Sequence, residues 1–90
     1  MRSSLTEDFI VCFRELPDRI QRLARKSYRA WKKDQSHPGL QFKLVGKRKP
    51  VYSVRIGIGW RALGLRIETD TIVWFWIGSH ADYERLIQIM

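Results

Sequence analysis

Between Leu40 and Ile67, apolar and polar residues alternate in three short segments, and this pattern restricts the fold more than any other feature of the chain. Successive side chains of a strand point to opposite faces of a sheet, so such alternation predicts strands. The short turn sequence Gly57-Ile58-Gly59 between two of the segments predicts an antiparallel hairpin. A fourth segment, IVWFWI (Ile72 to Ile77), is apolar on both faces, so we expect it inside the sheet, with helices covering one side.

Two helices are predicted before the strands. Apolar residues at spacing i, i+3, i+4 and i+7, beginning at Phe9, mark the first, with Ser4 and Glu7 as its expected capping box. The second begins at Pro17, where the missing N–H is harmless, and runs to about Asp34. Its apolar residues follow one face and its basic residues the opposite face. That basic face is either a binding surface for a polyanion or the solvated side of the helix. Its members are Arg22, Arg25, Lys26, Arg29 and Lys33.

A third helix is predicted at the C-terminal end, with Ser79 as its N-cap and Asp82 as the capping-box partner. Helices and strands occur in separate blocks, in the order ααββββα. This order indicates an α+β fold with two N-terminal helices, a four-stranded antiparallel curved sheet and a short C-terminal helix. Ninety residues are enough for one small domain, which we place at residues 1–90.

The charge of the chain restricts its partners. It has 17 Lys and Arg against 9 Asp and Glu, a net charge of +8, which favours a polyanion, with nucleic acid as the first candidate. The single cysteine, Cys12, excludes an internal disulfide, and no Cys/His spacing resembles a zinc site. Acidic residues interrupt the N-terminal segment where a signal peptide needs an apolar run, and no segment is apolar for long enough to span a membrane. We therefore expect a cytoplasmic protein.

The hairpin around Gly57-Ile58-Gly59 predicts a pair of arginines. A three-residue loop places Arg55 directly opposite Arg61, where two like charges repel unless an anion lies between them. Guanidinium groups bind phosphate well, so the pair predicts a phosphate site. Two independent, solvated charges are the alternative.

Further candidates flank this pair. We expect Lys43 and the loop residues Lys47, Arg48 and Lys49 to bind the RNA backbone, although basic loop residues are often simply solvated. Trp60, next to Arg61 in sequence, is a candidate for stacking a base.

A His and a Tyr follow the apolar strand directly. His80 begins the last predicted helix, and Tyr83 lies one turn later, so the two side chains are neighbours. An imidazole is a suitable proton acceptor near neutral pH. The same residues also fit a core strand followed by a capped helix without any chemistry.

Four motifs, taken in order, resemble the RelE/ParE superfamily of type II toxin–antitoxin toxins. They are LP-x-x-IQ-x-x-A (Leu16 to Ala24), HPGLQFK (His37 to Lys43), YSVRIG…WRALG (Tyr52 to Gly64) and WFWIGSHADYE (Trp74 to Glu84). The resemblance runs from about Thr6 to the C-terminus. It implies a curved antiparallel sheet backed by N-terminal helices.

The resemblance also implies an activity, but of two kinds. RelE-like members cut mRNA within the ribosome, whereas ParE-like members inhibit DNA gyrase. In the nuclease branch a basic residue after the hairpin stabilises the scissile phosphate, and Arg61 matches it, while His80 and Tyr83 match functional residues near the C-terminus. The last predicted strand has no second arginine, which some RelE-like nucleases carry, so gyrase inhibition stays an alternative, as does an inactive RNA-binding module.

The expectation is therefore an mRNA endoribonuclease that needs no metal and no cofactor. His80 is the expected base or acid, Arg61 and Arg55 the phosphate stabilisers, and Tyr83 a positioner or a partner in proton transfer. A small acidic antitoxin is the expected protein partner, and mRNA on the ribosome the expected target, with DNA gyrase as the alternative target. No homo-oligomer is expected without the antitoxin.

Overall fold

The computed structural model describes residues 1–90 and contains five strands and three α-helices. In chain order these elements are β1 (Arg2–Leu5), α1 (Glu7–Arg14), α2 (Asp18–Lys33), β2 (Lys43–Leu44), β3 (Val51–Ile56), β4 (Trp60–Ile67), β5 (Thr71–Ser79) and α3 (His80–Gln88). The α+β class is confirmed. No helix in the structure is both long enough and apolar enough to cross a bilayer.

The sheet has five strands rather than the four predicted, in the order β1-β5-β4-β3-β2. The additional strand is β1, which pairs in parallel with β5, whereas all other pairs are antiparallel. It joins the sheet through backbone hydrogen bonds, such as the one that the Arg2 N–H donates to the Asp70 carbonyl at 2.7 Å. With β1 on one side and β4 on the other, β5 lies inside the sheet, as its apolar sequence predicted.

The first predicted strand is much shorter than expected. Pro38–Leu40 form a 3₁₀ turn, and only Lys43–Leu44 pair as a strand. Between them, Gln41 has a φ of 45°, in the left-handed region that non-glycine residues rarely occupy. This backbone turn ends the regular alternation, so Leu40 enters the core from the turn rather than from a strand.

The capping of α1 also differs from the prediction. Ser4 lies in β1, and the N-cap is Thr6, whose Oγ1 accepts a hydrogen bond from the Phe9 N–H at 3.1 Å. For α3 the prediction of Ser79 as N-cap is confirmed, because its Oγ accepts from the Asp82 N–H at 3.2 Å. The Asp82 carboxylate pairs with Arg85 and does not complete a capping box.

The two faces of the sheet carry separate apolar clusters. The larger one packs α1 and α2 against one face, with Ile20 and Trp31 of α2 each only 1% exposed. The smaller one lies on the other face, where Tyr83 of α3 packs with Val51 and Leu63. Truncating a fully buried aromatic residue such as Trp31 costs about 3–5 kcal/mol, so the larger cluster holds most of the fold together. The second face carries the candidate site.

Candidate functional site

The β3–β4 hairpin brings the two predicted arginines into register. Ile56 pairs with Trp60 and Arg55 pairs with Arg61, which confirms the register expected for a three-residue loop. Gly57 and Gly59 have φ angles of 55° and 89°, and such positive values favour glycine. Residues directly opposite in a ladder point to the same face, so both arginine side chains lie on the face that α3 covers.

Arg61 is a buried cation with neutral partners. It is only 7% exposed, and its guanidinium donates to the Ser53 Oγ at 3.3 Å and to the Gln41 Oε1 at 2.6 Å. The salt bridge between Arg85 and Asp82 and the contact between His80 and Glu84 do not include it. A buried charge without a counter-ion is costly, and an anion that reached Arg61 would therefore bind strongly.

The guanidinium also has hydrogen-bonding capacity left. It carries five N–H donors, and the contacts to Ser53 and Gln41 use two of them, which leaves three. Arginine binds phosphate through two parallel N–H donors, so the remaining donors suffice for one phosphate group. These three donors are the ones that an anion reaching Arg61 could use.

Tyr83 connects Arg61 to His80. The ring of Tyr83 is 3% exposed, with the Arg61 Cζ 5.2 Å from its centroid on one side. The His80 ring lies 5.5 Å from the same centroid, and the Tyr83 hydroxyl donates to the Ser53 Oγ at 3.4 Å. Arg61, Tyr83 and His80, predicted as site residues from sequence, thus form one contiguous cluster.

His80 is held at the rim of this cluster. It is the first residue of α3, and its backbone N–H donates to the Gly59 carbonyl at 2.7 Å, which ties the helix start to the hairpin loop. Its Nε2 lies 3.0 Å from Glu84 Oε1, one turn along the helix. About half of the imidazole is exposed, so a substrate can reach it from solvent.

Two other predicted residues share this face. Lys43 pairs with Ser53 across β2 and β3, so its side chain lies on the Ser53 side of the sheet and is exposed. Arg55 is half-buried, and its Nε donates to the Gly57 carbonyl at 2.8 Å. The face thus carries three cations on three adjacent strands, the buried Arg61 on β4 and the more accessible Arg55 and Lys43 on β3 and β2.

The remaining predicted residues lie elsewhere. Trp60 is adjacent to Arg61 in β4, so its side chain points to the opposite face, where it packs against the larger apolar cluster. The Trp60 side chain is thus on the other face of the sheet from Arg61, and its stacking on a base stays a prediction. The exposed residues Lys47, Arg48 and Lys49 form the loop before β3, at the end of that strand away from Arg55.

Sequence analysis missed two residues of the cluster, Ser53 and Gln41. Ser53 is fully buried, and its Oγ contacts both Arg61 and Tyr83. A serine in the middle of the predicted strand YSVRI was a detectable signal, since a buried hydroxyl needs a partner. Gln41 reaches Arg61 only because its backbone adopts the left-handed conformation, and sequence alone does not reveal this.

No group of three or more His, Cys, Asp or Glu side chains in the structure is arranged to hold a metal ion. The residues of the site are cations, neutral hydrogen-bonding groups, the His80 imidazole and the Glu84 carboxylate beside it.

The chain is similar to a family of toxin domains and, in fold, to solved toxin structures from bacteria and archaea. A family model described as a ParE-like toxin domain matches residues 18–85. Among solved structures, the isolated E. coli RelE toxin is 16% identical, with a TM-score of 0.64 over 99% of this chain and 98% of that one. The RelB–RelE complex from Methanococcus jannaschii gives 14% identity, a TM-score of 0.70 and coverages of 91% and 95%. The RelBE2 toxin–antitoxin complex from Mycobacterium tuberculosis is 24% identical, with a TM-score of 0.58 over 90% of this chain and 92% of that one. No curated protein matches the chain.

Proposed function

The chain belongs to the ParE-like toxin domain family, within the RelE/ParE superfamily of toxins, and on this basis we propose that it is a metal-independent endoribonuclease that cuts mRNA on translating ribosomes. The observation that carries this proposal is the state of Arg61. It is buried, it has no carboxylate partner, and it lies in one cluster with a solvent-accessible imidazole.

The chemistry needs three functions at one phosphodiester. The ribose 2′-OH loses its proton to a base and forms a new bond to phosphorus, negative charge develops on the phosphate oxygens, and the 5′-oxygen leaves with a proton from an acid. Arg61, supported by Arg55, stabilises the charge on the phosphate. His80 supplies the base or the acid, because it is the imidazole at the rim of the cluster.

Rigid mounting of these groups favours catalysis. Arg61 belongs to an inner strand, and His80 begins a helix that Ser79 caps and Tyr83 anchors. Preorganised positive groups that need not rearrange during reaction lower the barrier more than mobile ones. The buried Tyr83 ring acts as a positioning residue, since it contacts Arg61 and His80 together.

Inhibition of DNA gyrase is the second candidate, and the description of the matching family as ParE-like favours it. In that case the arginines and His80 would take part in binding, and no RNA would be cut. The two candidates therefore differ in the role of Arg61 and His80. A nuclease needs both residues for RNA cleavage, whereas a gyrase inhibitor needs them only for binding.

We further propose that a small acidic antitoxin is the protein partner. The similar RelE structures from M. jannaschii and M. tuberculosis are complexes with antitoxins. A groove of about 440 Å³ lies between α1, α2 and the sheet, and it is lined mainly by apolar residues such as Phe9, Phe13 and Trp74. Arg25 and Arg29 also line it, so an amphipathic segment with acidic residues at its edge fits the groove in shape and charge.

The deciding experiment adds purified protein to translating ribosomes and maps mRNA ends. Arg61→Lys keeps a cation but loses the guanidinium fork, and we expect cleavage to fall by about 10²–10³. His80→Ala removes an acid or base, worth about 10²–10⁴. His37→Ala and Arg85→Lys, at exposed positions outside the site, are the matched controls and should cleave normally. Intact mRNA with the wild-type protein, together with inhibited gyrase supercoiling, would establish the gyrase candidate instead.

A further inference from the structure

Helix α2 carries most of the charge of the protein. Its seven basic residues and one acidic residue, Asp18, give it a net charge of +6, whereas the whole chain has +8. All seven basic residues are exposed: Arg19, Arg22, Arg25, Lys26, Arg29, Lys32 and Lys33.

These cations occupy one narrow face. At about 100° per residue, all seven fall within an arc of roughly 140° around the helix axis. The opposite side of the helix carries Ile20, Ala24 and Trp31, which are buried against the sheet. The basic arc therefore points away from the sheet, on the other side of the molecule from Arg61.

Only one acidic residue, Asp18, falls within this face, and none of the seven cations forms an ion pair. The Lys32 Nζ donates to the Met1 carbonyl at 2.9 Å, and the Arg25 Cζ lies over the Phe13 ring. Like charges at spacing i, i+4, such as Arg22 with Lys26, destabilise a helix. A solvated face usually mixes both signs, so this one is better suited to an external polyanion.

We propose that this face of α2 binds the phosphate backbone of double-helical RNA. The arc contains no apolar residue, whereas protein interfaces have apolar centres and are depleted of lysine. Phosphate contacts need only positive charge along the backbone, and they carry no sequence information. A helix of 16 residues is about 24 Å long, enough to contact several phosphates of one duplex.

The consequence for substrate choice rests on the proposed nuclease function. The shortest dimension of the molecule is 26 Å, and the basic arc and Arg61 lie on opposite sides of the sheet. One short strand cannot contact both surfaces at once. A large folded RNA can present a duplex to α2 and a single strand to Arg61, and the second contact then gains from the effective concentration that the first creates. The preferred substrate is thus an mRNA that is held on the ribosome with duplex RNA next to the cut site.

The binding test compares two triple variants of the full chain that remove equal charge. Arg22→Gln with Lys26→Gln and Lys33→Gln removes three cations on the side of the arc away from the apolar groove and spares the residues that line the groove. Arg2→Gln with Arg14→Gln and Arg85→Gln is the control. For a short RNA duplex of mixed sequence, we expect the α2 variant to bind roughly tenfold or more weakly and to lose about 2–3 from the slope of log K against log salt. The control variant should keep most of the affinity for the duplex and most of the salt dependence.

Three results would overturn this inference. In the first, the two triple variants lose the same affinity for duplex RNA. In the second, the α2 variant binds duplex DNA more weakly but duplex RNA normally, and in the third it binds the acidic antitoxin more weakly but duplex RNA normally. A separate arm keeps the proposal independent of the nuclease function: Arg61→Lys should bind the duplex like the wild-type protein. In cleavage assays on translating ribosomes, the α2 variant should cut mRNA at least tenfold more slowly than the control triple variant.

Discussion

The guanidinium of Arg61 lies over the ring of Tyr83, with Cζ 5.2 Å from the ring centroid, and both residues are more than nine-tenths buried. A desolvated cation over a tyrosine ring is stabilised by about 2 kcal/mol. Because Arg61 belongs to β4 and Tyr83 to α3, this contact helps to fix the last helix on the sheet. The position of His80 at the start of that helix thus depends partly on the Arg61 side chain.

The first prediction concerns the role of Tyr83. Its hydroxyl is buried and makes one long hydrogen bond, to Ser53 at 3.4 Å, so we expect the ring rather than the hydroxyl to matter. Tyr83→Phe should lower the free energy of unfolding by about 1 kcal/mol or less and keep cleavage within about tenfold. Tyr83→Leu should reduce both more strongly, as measured by urea denaturation and cleavage rates. A loss of 10²-fold or more in stable Tyr83→Phe would instead assign proton transfer to the hydroxyl.

The second prediction concerns Gln41, whose Oε1 accepts from Arg61 at 2.6 Å. Gln41→Glu places a carboxylate against the guanidinium, so we expect the fold to stay stable while RNA cleavage falls by roughly 10² or more. Gln41→Gly is the control. It removes the acceptor and suits the φ of 45°, where a side chain costs about 1–2 kcal/mol. It also leaves Arg61 without a carboxylate partner. Equal activity of the Glu and Gly variants would show that neutralising Arg61 is harmless.

The third prediction concerns the cap of α3. Ser79→Ala removes the Oγ that accepts from the Asp82 N–H, which should cost about 1 kcal/mol of stability. Ser79→Asp keeps an acceptor and should retain it. Hydrogen exchange of the first amides of α3 measures the effect directly. Faster exchange in the Ala variant but not in the Asp variant is the expected result, while unchanged protection in both would show that packing alone holds the helix start.

The fourth prediction concerns acid stability. The Ser36 side chain, and after it the Ser36 backbone N–H, donate to the Asp34 Oδ1 at 2.6 and 3.0 Å, and they hold the pKa of this carboxyl below its ordinary value of 3.8. A carboxyl whose pKa is lower in the folded state contributes stability above its unfolded pKa, and this is lost as the pH falls through the folded pKa. Asp34→Asn should therefore lower the free energy of unfolding at neutral pH and match the wild-type protein well below pH 3.8. A difference that stays constant across urea titrations from neutral to acid pH would contradict this assignment.

The β3–β4 hairpin shows why part of the site could be predicted from sequence. A three-residue loop with glycine at both ends fixes which residues pair, so the positions of Arg55 and Arg61 followed from local sequence alone. The burial of Arg61 did not follow in this way. It depends on Ser53, Gln41 and Tyr83, which come from three other parts of the chain.

The strand β1 was missed for a related reason. Its sequence RSSL shows no apolar alternation, and only one of its four residues is even half-buried. The strand forms because β5 offers an unpaired edge to its backbone groups, and backbone pairing leaves no mark on the choice of side chains. A propensity argument therefore detects β5, which is strongly apolar, and not the partner that covers its edge.

The pairing of β1 with β5 has a consequence for how the chain folds during synthesis. Arg2 has its partner at Thr71, so the first strand cannot pair until most of the chain has been made, and Tyr83 is made later still. Contacts between such distant parts of a chain form slowly, because a long loop must close first. A nascent or prematurely terminated chain therefore lacks the assembled Arg61 cluster.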